Sequence, residues 1–307
     1  MMQTAIEQPN DPSPFHPGER EVQTRAGVRE EAEKRGRRML SAEINAQQAQ
    51  FFRQLPFVIA AHTDEHGQPW ASLLTGAPGF IGIDEARGQA NLHAQGNSNN
   101  MRVDPGSEVG LLGIELATRR RNRMNGTVFA ADGDNWRVLV EQAYGNCPKY
   151  INEREWPAEL FSGQYQVTDS AGLSGQARQL ATNADTFFIA TASGPDETDS
   201  LTRGTAWGAD VSHRGGEAGF LRGIGNDQGN DLVFDDYPGN NMFNTLGNIR
   251  RYPPCALLLL DFNSGDTVQL AGNAEIVFSG EGRQVKLRVH TTRYWRRVDD
   301  GASGGHQ

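Results

Sequence analysis

Cysteine is the scarcest residue in this chain of 307 residues, with two copies at positions 147 and 255. Two distant cysteines cannot supply a secreted disulfide framework or a four-cysteine zinc site. Long apolar runs are also lacking: Ala256–Leu260 is among the longest, whereas a membrane-spanning helix needs about 18 apolar residues. The N-terminal stretch is polar, without the apolar core of a signal peptide. We therefore expect a cytoplasmic protein with no membrane partner.

Basic charge is in deficit as well. Lys and Arg number 29 against 38 Asp and Glu, so the net charge is −9. Nucleic-acid binding needs a basic surface, and we expect no nucleic-acid partner. The seven histidines show no HExxH spacing, and no P-loop, GxSxG or suitably placed GxGxxG motif is present. We therefore predict no metal centre.

Glycine, by contrast, is abundant, with 36 residues spread among short apolar runs. This distribution is typical of a turn-rich, mainly β protein with flanking helices. The charged run Arg20–Leu40 predicts one surface helix, because its few apolar residues cannot form a broad buried face. Strands are predicted at 57–62, 70–74, 80–83, 109–116, 121–129 and 136–142, with a turn at 64–68.

Short segments recur in the same order in the two halves of the chain. The pairs are Phe57–Ala60 with Phe187–Ala190, Gly76–Phe80 with Gly216–Phe220, and Ile114 and Gly126 with Leu260 and Gly272. The offset grows along the chain, as small loop insertions would make it grow. This pattern predicts two tandem units of one fold.

The boundary between the two units is predicted between Tyr150 and Thr182. We predict an N-terminal tail and surface helix at 1–40, a first small barrel at 41–160, a second barrel at 182–295 and a flexible tail at 296–307.

The segment Gly208–Gly216 is a candidate ligand-binding strand. Alternation along a strand places Val211 and His213 on one face and Ser212 with Arg214 on the other. A guanidinium is suited to phosphate, and the following glycines, including Gly216, permit close approach of a flat ligand. A polar strand that ends in a glycine turn is the alternative.

A second candidate lies at 235–249. Asn241, Asn244, Thr245 and Asn248 recur at three- to four-residue spacing, which lines one side of a helical turn with small polar groups. If Asn240 or Asn241 caps this helical turn, the free backbone N–H groups of the turn can receive an anion. A plain capped helix is the alternative.

A third candidate is the arginine-rich run at 117–126. Arg119, Arg121 and Arg123 share one face of a predicted strand with Asn125, and three like charges there require an anion or an acidic partner. The aligned positions of the second unit carry no charge. Either a ligand role or an exposed, solubilising edge strand fits the pattern.

Cys147 precedes Pro148 and Lys149. A nucleophilic thiol and a buried structural thiol are both open, and a buried structural thiol is the more common arrangement.

Taken together, six segments resemble the flavin-nucleotide-binding proteins related to pyridoxamine 5′-phosphate oxidase. They are Phe15–Glu19, Trp70–Gly76, Leu116–Arg121, Tyr144–Tyr150, Asp210–Gly216 and Asn241–Ile249. The resemblance extends from about residue 15 to 280. It implies six-stranded antiparallel split barrels, usually paired with FMN in the cleft between them, and the tandem units would supply both barrels.

The same resemblance implies a phosphate grip. Ser212, His213 and Arg214 match the family's phosphate-binding strand, and Asn244 and Thr245 match its polar turn. His213 stands near the place of the family's Lys. This departure argues against authentic pyridoxamine 5′-phosphate oxidation and leaves room for FAD as a second choice.

The function we predict is FMN binding by a flavin-dependent oxidoreductase that uses a small-molecule substrate and a redox donor. A homodimer is an open alternative to the single chain. The predicted cofactor residues are Ser212, His213, Arg214, Gly216, Asn241, Asn244 and Thr245, with Trp70 and Ser72 from the first unit beside the flavin ring. The predicted substrate or anion residues are Arg119, Arg121, Arg123 and Lys149. A non-catalytic flavin or haem binder and a structural, partner-binding protein are the alternatives.

Overall fold

The protein is mainly β, with two antiparallel sheets and flanking helices, as predicted. A computed structural model describes residues 13–95, 101–133, 135–195, 206–225, 229–280 and 282–298. Most of the two predicted terminal tails, residues 1–12 and 299–307, lies outside these ranges. Among the residues described, no helix is both long enough and apolar enough to cross a membrane.

The helices lie at the N-terminus and between strands. They are α1 Pro17–Arg25, α2 Arg29–Met39, α3 Ala46–Gln54, α4 Gly175–Asn183 and α5 Asn244–Arg251, with a short 3₁₀ turn at Ala158–Phe161. The prediction of one helix over Arg20–Leu40 is wrong. Gly27, with a φ of 71°, ends α1 in the left-handed conformation that favours glycine, and α2 starts afresh.

Seven strands form the first sheet, in the hydrogen-bonding order β2-β1-β5-β6-β7-β4-β3. Their bounds are β1 Phe57–Thr63, β2 Pro69–Thr75, β3 Ile81–Asp84, β4 Gln89–His93, β5 Glu108–Glu115, β6 Arg120–Asp132 and β7 Asn135–Asn146. The strands predicted from the sequence all occur, and β4 is an addition. Its two buried residues, Ala90 and Leu92, are too few to signal a strand by alternation.

The second sheet repeats that order as β10-β9-β13-β14-β15-β12-β11, with β8 added beside β15. Its strands are β8 Gln164–Ala171, β9 Thr186–Ala192, β10 Ala209–Gly215, β11 Arg222–Ile224, β12 Asp231–Asp235, β13 Pro254–Leu260, β14 Thr267–Ser279 and β15 Gly282–Val298. β15 continues three residues beyond the predicted end of the second barrel. Over the described residues neither sheet closes on itself, so the barrel stays a prediction.

Two glycines occupy the same position in the two sheets. The strand pairing shifts by one residue between Asn125 and Gly126, and again between Ala271 and Gly272. A Cβ on either glycine would lie 2.0 Å from a carbonyl oxygen of the neighbouring strand. The bulge therefore requires glycine in both halves, and it accounts for the echo of this residue in the sequence.

The sequence match of Phe57 with Phe187 is displaced by one residue from the structural equivalence of the two strands. Phe57 packs in the apolar cluster between the two sheets, whereas Phe187 packs inside the second sheet's own cluster. The turn bonds show the true equivalence, because Gly76 N–H donates to Pro56 O and Gly216 N–H donates to Asp185 O. A shift of one residue moves a side chain to the other face of a strand.

The two sheets pack directly against each other. Ile59 and Leu112 from the first sheet share one buried cluster with Phe188, Val211 and Leu258 from the second. A separate cluster fills each sheet's other face. The edge strands β2 and β10 therefore lie at the junction of the two units, on opposite sides of the shared cluster.

Helix α1 is not merely a surface helix, because part of it is buried against α5. Gly18 and Gly247 let the two helices approach so closely that a Cβ on Gly18 would lie 2.3 Å from Gly247 O. Val22 joins the core of the second sheet. The N-terminal segment thereby fixes α5, whose first turn lies beside β10.

Candidate functional site

A cleft opens where the ends of β6 and β7 from the first sheet meet β10 and α5 from the second. It encloses about 850 Å³ when the space at its mouth is included. We call it the arginine cleft, after the three arginines at its floor. Its lining includes Arg121, Arg123, Asn146, Cys147, Lys149 and Tyr150 from the first sheet, and Ser212, His213, Arg214, Asp236, Tyr237 and Thr245 from the second.

The floor of the cleft is held by a buried ion pair across the junction. Arg123 Nη1 donates to Asp210 Oδ1 at 2.8 Å, and both side chains are at least nine-tenths buried. Its other terminal nitrogen, Nη2, donates to Ser212 Oγ. Burial opposes the charge of Arg123, but Asp210 more than offsets this and raises the pKa of Arg123. The interactions of Arg123 with Asp210 and Ser212 therefore stabilise the junction of the two sheets.

Ser212 connects β10 to α5. Its hydroxyl lies 2.7 Å from Thr245 Oγ1, in the first turn of the helix. The side chain is buried, so its remaining contacts are with Arg123 and Asp210. The pair of hydroxyls positions the helix start relative to the strand that carries Arg214.

Arg121 is a cation without an acidic partner among the described residues. Its Nε donates to Cys147 O at 3.0 Å, and its Nη1 lies 3.1 Å from His213 Nδ1. Burial, together with the charges of Arg123 and Arg214, lowers the pKa of Arg121 to about 10. Such crowding of like charges is relieved by an anion.

Arg214 is only weakly neutralised. Its nearest carboxylate, Asp236, is 3.9 Å away and is itself held by Arg283 at 3.0 Å. Arg214 Nε is buried and finds no hydrogen-bond partner in the described part of the chain. Burial lowers the pKa of Arg214 despite the nearby Asp236. Arg214 thus adds a second free cationic donor to the cleft.

His213 contributes a neutral donor. Burial and the charges of Arg121 and Arg214 lower the pKa of His213 well below its ordinary value. Because Nδ1 faces an Arg121 N–H and must accept, Nε2 carries the proton. Nε2 is buried and has no partner among the residues described. The floor therefore combines Arg121, a cation without a carboxylate partner among the described residues, with unpartnered buried nitrogens of His213 and Arg214.

The mouth of the cleft is aromatic and basic. Tyr150 and Tyr237 stand with ring centroids 5.2 Å apart, and Tyr150 OH donates to Pro238 O. Lys149 and the exposed Cys147 lie on the same wall. Of the two alternatives for Cys147, the structure excludes the buried structural thiol, because the chain turns outward after β7 and the residue is exposed.

The predicted capping of the polar helix by Asn240 or Asn241 is also wrong. Helix α5 begins at Asn244, preceded by Phe243 with a φ of 62° and no side-chain cap. Asn240 Oδ1 instead accepts from Met242 N–H within the loop. Asn241 lines the cleft in the left-handed conformation.

Asn244 and Asn248 point toward the N-terminal helix. Asn244 Nδ2 donates to Glu19 Oε1 at 2.7 Å, and Asn248 Oδ1 lies 2.9 Å from His16 Nε2. Glu19 also accepts from His16 N–H, and its burial raises the pKa of the carboxyl well above its ordinary value. The segment Phe15–Glu19, which resembles the flavin proteins, thus holds α5 in place through its hydrogen bonds to Asn244 and Asn248.

The structure separates the other predicted site residues. Arg119 lies in the turn before β6 with a φ of 54°, half exposed and 3.7 Å from Glu153, so it does not share the face of Arg121. Gly216 lies just beyond the lining, with its carbonyl accepting from Asn152 Nδ2. Lys149 reaches the cleft as predicted for an anion-binding residue.

Trp70 and Ser72 line a different cleft on the opposite side of the junction. We call it the tryptophan cleft, and His62, Gln269 and Arg293 also line it. These two residues therefore do not border a ligand in the arginine cleft. In the tandem arrangement β2 and β10 are equivalent, so each serves its own cleft.

Sequence reasoning missed Asp210, which pairs with Arg123 beneath the cleft, and Asp236 and Tyr237, which line it. Asp210 had a usable signal, because it alternates with Ser212 and Arg214 on one face of β10. The other two lie in an irregular loop where spacing carries no information.

Comparison with known proteins adds little. No family model matches the sequence, and no curated protein matches it. Two solved structures are similar over most of the chain. The Bacillus subtilis inhibitor of motility, MotI/DgrA, is 9% identical with a TM-score of 0.19, and covers 80% of this chain and 89% of its own. The apo state of K. pneumonia MrkH is 12% identical with a TM-score of 0.18, with 83% and 84% covered. Scores this low support no argument about fold or function.

Proposed function

We propose that the chain binds FMN through the phosphate group, as a flavin-dependent oxidoreductase related to pyridoxamine 5′-phosphate oxidase. In this proposal the two sheets are tandem split barrels, FAD is the second choice of cofactor, and the protein is cytoplasmic. The observation that carries the proposal is the set of unsatisfied donors at the floor of the arginine cleft.

The charges at the floor favour an anion. Arg121 has no carboxylate within ion-pair distance among the described residues, and Arg214 shares a distant one. Burying like charges together is costly unless an opposite charge answers them. A phosphate dianion accepts several hydrogen bonds at once, and Arg214 Nε and His213 Nε2, which are buried without a partner among the described residues, would donate to it after a small side-chain adjustment.

The remainder of the cleft suits the rest of a flavin mononucleotide. The tyrosine pair at its mouth offers aromatic surface to a flat ring. The floor is closed by Thr245 and Ser212, so the phosphate end is the end that fits inward.

The location of the cleft is a second support. It lies at the junction of two units with the same strand order, and both units contribute side chains. The resemblance of the sequence to the oxidase-related proteins implies a flavin between paired barrels. In this proposal one chain would supply both halves of such a pair, and a homodimer would not be needed to complete the cleft.

Bound FMN would supply hydride or electron transfer through its ring. The chain's own residues would have simpler tasks. Arg121, Arg214 and His213 would hold the phosphate, and Thr245 with Ser212 would close the floor behind it. Lys149 at the mouth would attract an anionic small-molecule substrate or redox donor.

The test is the visible absorption spectrum of the desalted protein before and after addition of FMN, then of FAD. Retention of flavin bands after addition supports the proposal, and the nucleotide retained at lower concentration identifies the cofactor. Anaerobic addition of NADH or NADPH follows. Bleaching of the bound flavin supports an oxidoreductase, whereas retained flavin that no donor reduces favours the non-catalytic binder. A colourless protein that takes up neither nucleotide contradicts the proposal, and an intense violet band indicates haem.

A further inference from the structure

Cys147 is the only one of the chain's two cysteines that is exposed. It follows β7 directly and lines the wall of the arginine cleft. Cys255 lies within β13, fully buried, and burial raises the pKa of its thiol to about 12. A reagent added to the folded protein therefore meets one thiol, and that thiol borders the proposed anion site.

The surroundings of Cys147 are cationic. Arg121 Nε donates to its carbonyl oxygen at 3.0 Å, and Lys149 lies two residues along the chain on the same wall. Among the influences on Arg121, Cys147 raises the pKa of this arginine, whereas burial and the charges of Arg123 and Arg214 lower it. The lining holds four cationic side chains (Arg121, Arg123, Lys149 and Arg214) against two aspartates (Asp235 and Asp236), and a cleft with such an excess of positive charge concentrates small anions.

An independent feature shows that the cleft is shaped for an anionic ligand. His213 and Arg123 are both more than nine-tenths buried, and both line the cleft. His213 Nε2 and Arg123 Nε have no hydrogen-bond partner among the residues that the structure describes. Buried donors are normally satisfied. His213 bonds Arg121, which in turn bonds the carbonyl oxygen of Cys147, so the unpartnered His213 nitrogen points to a hydrogen-bond acceptor in the part of the cleft that Cys147 borders.

We propose that Cys147 is a modification site for anionic disulfides, which the arginine cleft draws to the thiol and whose acidic group then blocks the anion seat. The inference rests on the proposed anion-binding function of the cleft. It requires no flavin. The chemical class is the disulfide of a small acidic thiol.

The reaction is thiol–disulfide exchange. The Cys147 thiolate attacks one sulfur of the reagent, a new S–S bond forms to Sγ, and the old S–S bond breaks. The leaving thiolate takes up the proton that Cys147 released. The reagent is reduced by the same two electrons that oxidise Cys147, and an added thiol reverses the step. The modified chain carries an acidic group beside Arg121, and FMN can no longer place its phosphate there.

The first experiment compares the rates of two disulfides on the purified, ligand-free protein. Dithiobis(nitrobenzoate) is anionic and cystamine is cationic, and each rate is divided by its rate on a short uncharged peptide with one cysteine. We expect one reactive thiol in the folded protein and two after unfolding. The normalised anionic rate should exceed the cationic rate by about tenfold or more and should converge on it at about 0.5 M salt. Equal normalised rates at low salt would overturn the proposal.

Variants locate the effect. Cys147→Ser should remove the reaction of the folded protein, and a fast thiol that survives this change would show that the site is elsewhere. Arg121→Gln should reduce the anionic preference several-fold. Arg119→Gln is the matched control, since Arg119 is half exposed and lies outside the cleft. If Arg121→Gln does not fold, the salt dependence of the unaltered chain decides the question by itself.

Protection by ligands separates this inference from the proposed function. Inorganic phosphate at millimolar concentration and FMN at lower concentration should both slow the anionic reagent. Charge selectivity without protection by FMN would uphold the modification site and contradict FMN binding in this cleft. Bound FMN without any charge selectivity would uphold the cofactor and contradict the modification site.

Discussion

The arginine cleft and the tryptophan cleft are built from equivalent strands, yet they differ in charge. Equivalent positions carry Ser212 and Ser72, Asp210 and Trp70, Arg123 and Gln269, and Arg214 and Leu74. In both clefts a side chain from one sheet bonds across the junction to the serine of the other: Arg123 donates to Ser212, and Gln269 Nε2 lies 3.3 Å from Ser72 Oγ. Because both clefts have this contact, we assign it a structural role, and the difference between the two clefts lies in their charge.

Both arginines that line the tryptophan cleft, Arg102 and Arg293, have acidic partners within the protein. Arg293 pairs with Asp169 at 3.0 Å and stacks 5.0 Å above the ring of Trp70. Asp64 accepts from Trp70 Nε1 at 2.9 Å. Each cleft holds one buried histidine nitrogen without a partner among the described residues, His62 Nδ1 and His213 Nε2, but only the arginine cleft adds unpartnered arginine nitrogens to it, Arg123 Nε and Arg214 Nε. Unpartnered cationic nitrogens, and not the mere presence of a cleft, therefore distinguish the anion site.

The largest effect should come from the two bridging side chains. Arg123→Leu leaves Asp210 buried without its cation, and we expect a loss of about 3–5 kcal/mol in the free energy of unfolding. Gln269→Leu removes neutral hydrogen bonds only and should cost about 1–2 kcal/mol. Urea unfolding of both variants measures the difference. Equal losses would mean that Asp210 finds other compensation and that the two junctions are energetically alike.

The next effect concerns binding. Arg214→Gln removes a charged donor from the anion seat and should weaken phosphate or FMN binding about ten- to hundredfold, or about 1.5–3 kcal/mol. Arg293→Gln removes a cation from the tryptophan cleft, and we expect unchanged affinity. Isothermal titration of both variants checks this. A loss of affinity in the Arg293 variant alone would move the anion site to the other cleft.

Acid should destabilise both clefts through one buried histidine each. Burial lowers the pKa of His62 to about 4, and burial with the nearby arginines lowers the pKa of His213 well below its ordinary value. A lowered folded pKa means that the unfolded chain binds the proton more tightly, so stability is full above about pH 6.5 and falls as pH drops toward the folded pKa.

At pH 5 the loss from His62 should be about 2 kcal/mol relative to pH 7.5. His62→Gln should remove that part of the pH dependence. Thermal unfolding at the two pH values measures it. Phosphate should reduce the acid loss of the unaltered chain through His213, and it should do so equally in the His62 variant. If the effect of phosphate on the acid loss disappears in His62→Gln, the assignment of that effect to His213 is wrong.

The smallest effect is expected at Arg119. The residue is half exposed and 3.7 Å from Glu153, and Arg119→Gln should change the free energy of unfolding by less than about 0.5 kcal/mol. Phosphate affinity should not change. A marked loss of phosphate affinity in Arg119→Gln would show that Arg119 belongs to the cationic cluster predicted from the sequence.

The repeat could be predicted because bulges and turns restrict residue choice. Gly126 and Gly272 occupy positions where a Cβ has no room, so the sequence keeps a visible mark of the geometry. The facing of Phe57 and Phe187 could not be predicted, because both faces of β1 and β9 are apolar and a slip of one residue leaves the pattern unchanged.

The candidate site was predictable where side chains alternate along a strand. Ser212, His213 and Arg214 reach the cleft together with Arg121 and Arg123. Arg119 and the helix caps were misplaced because single backbone conformations with positive φ decide them, at Arg119 and Phe243. Trp70 and Ser72 were misplaced since a repeat does not reveal which of two equivalent strands borders a given cleft.

The most direct measurement of the central claim compares FMN with riboflavin, which has the same ring and lacks the phosphate. Titration calorimetry on the desalted chain should show one FMN bound per chain, about a hundredfold or more tighter than riboflavin. Arg121→Gln combined with Arg214→Gln should abolish that preference. Equal affinities for the two compounds, or a preference that survives in the double variant, would contradict a phosphate seat in the arginine cleft.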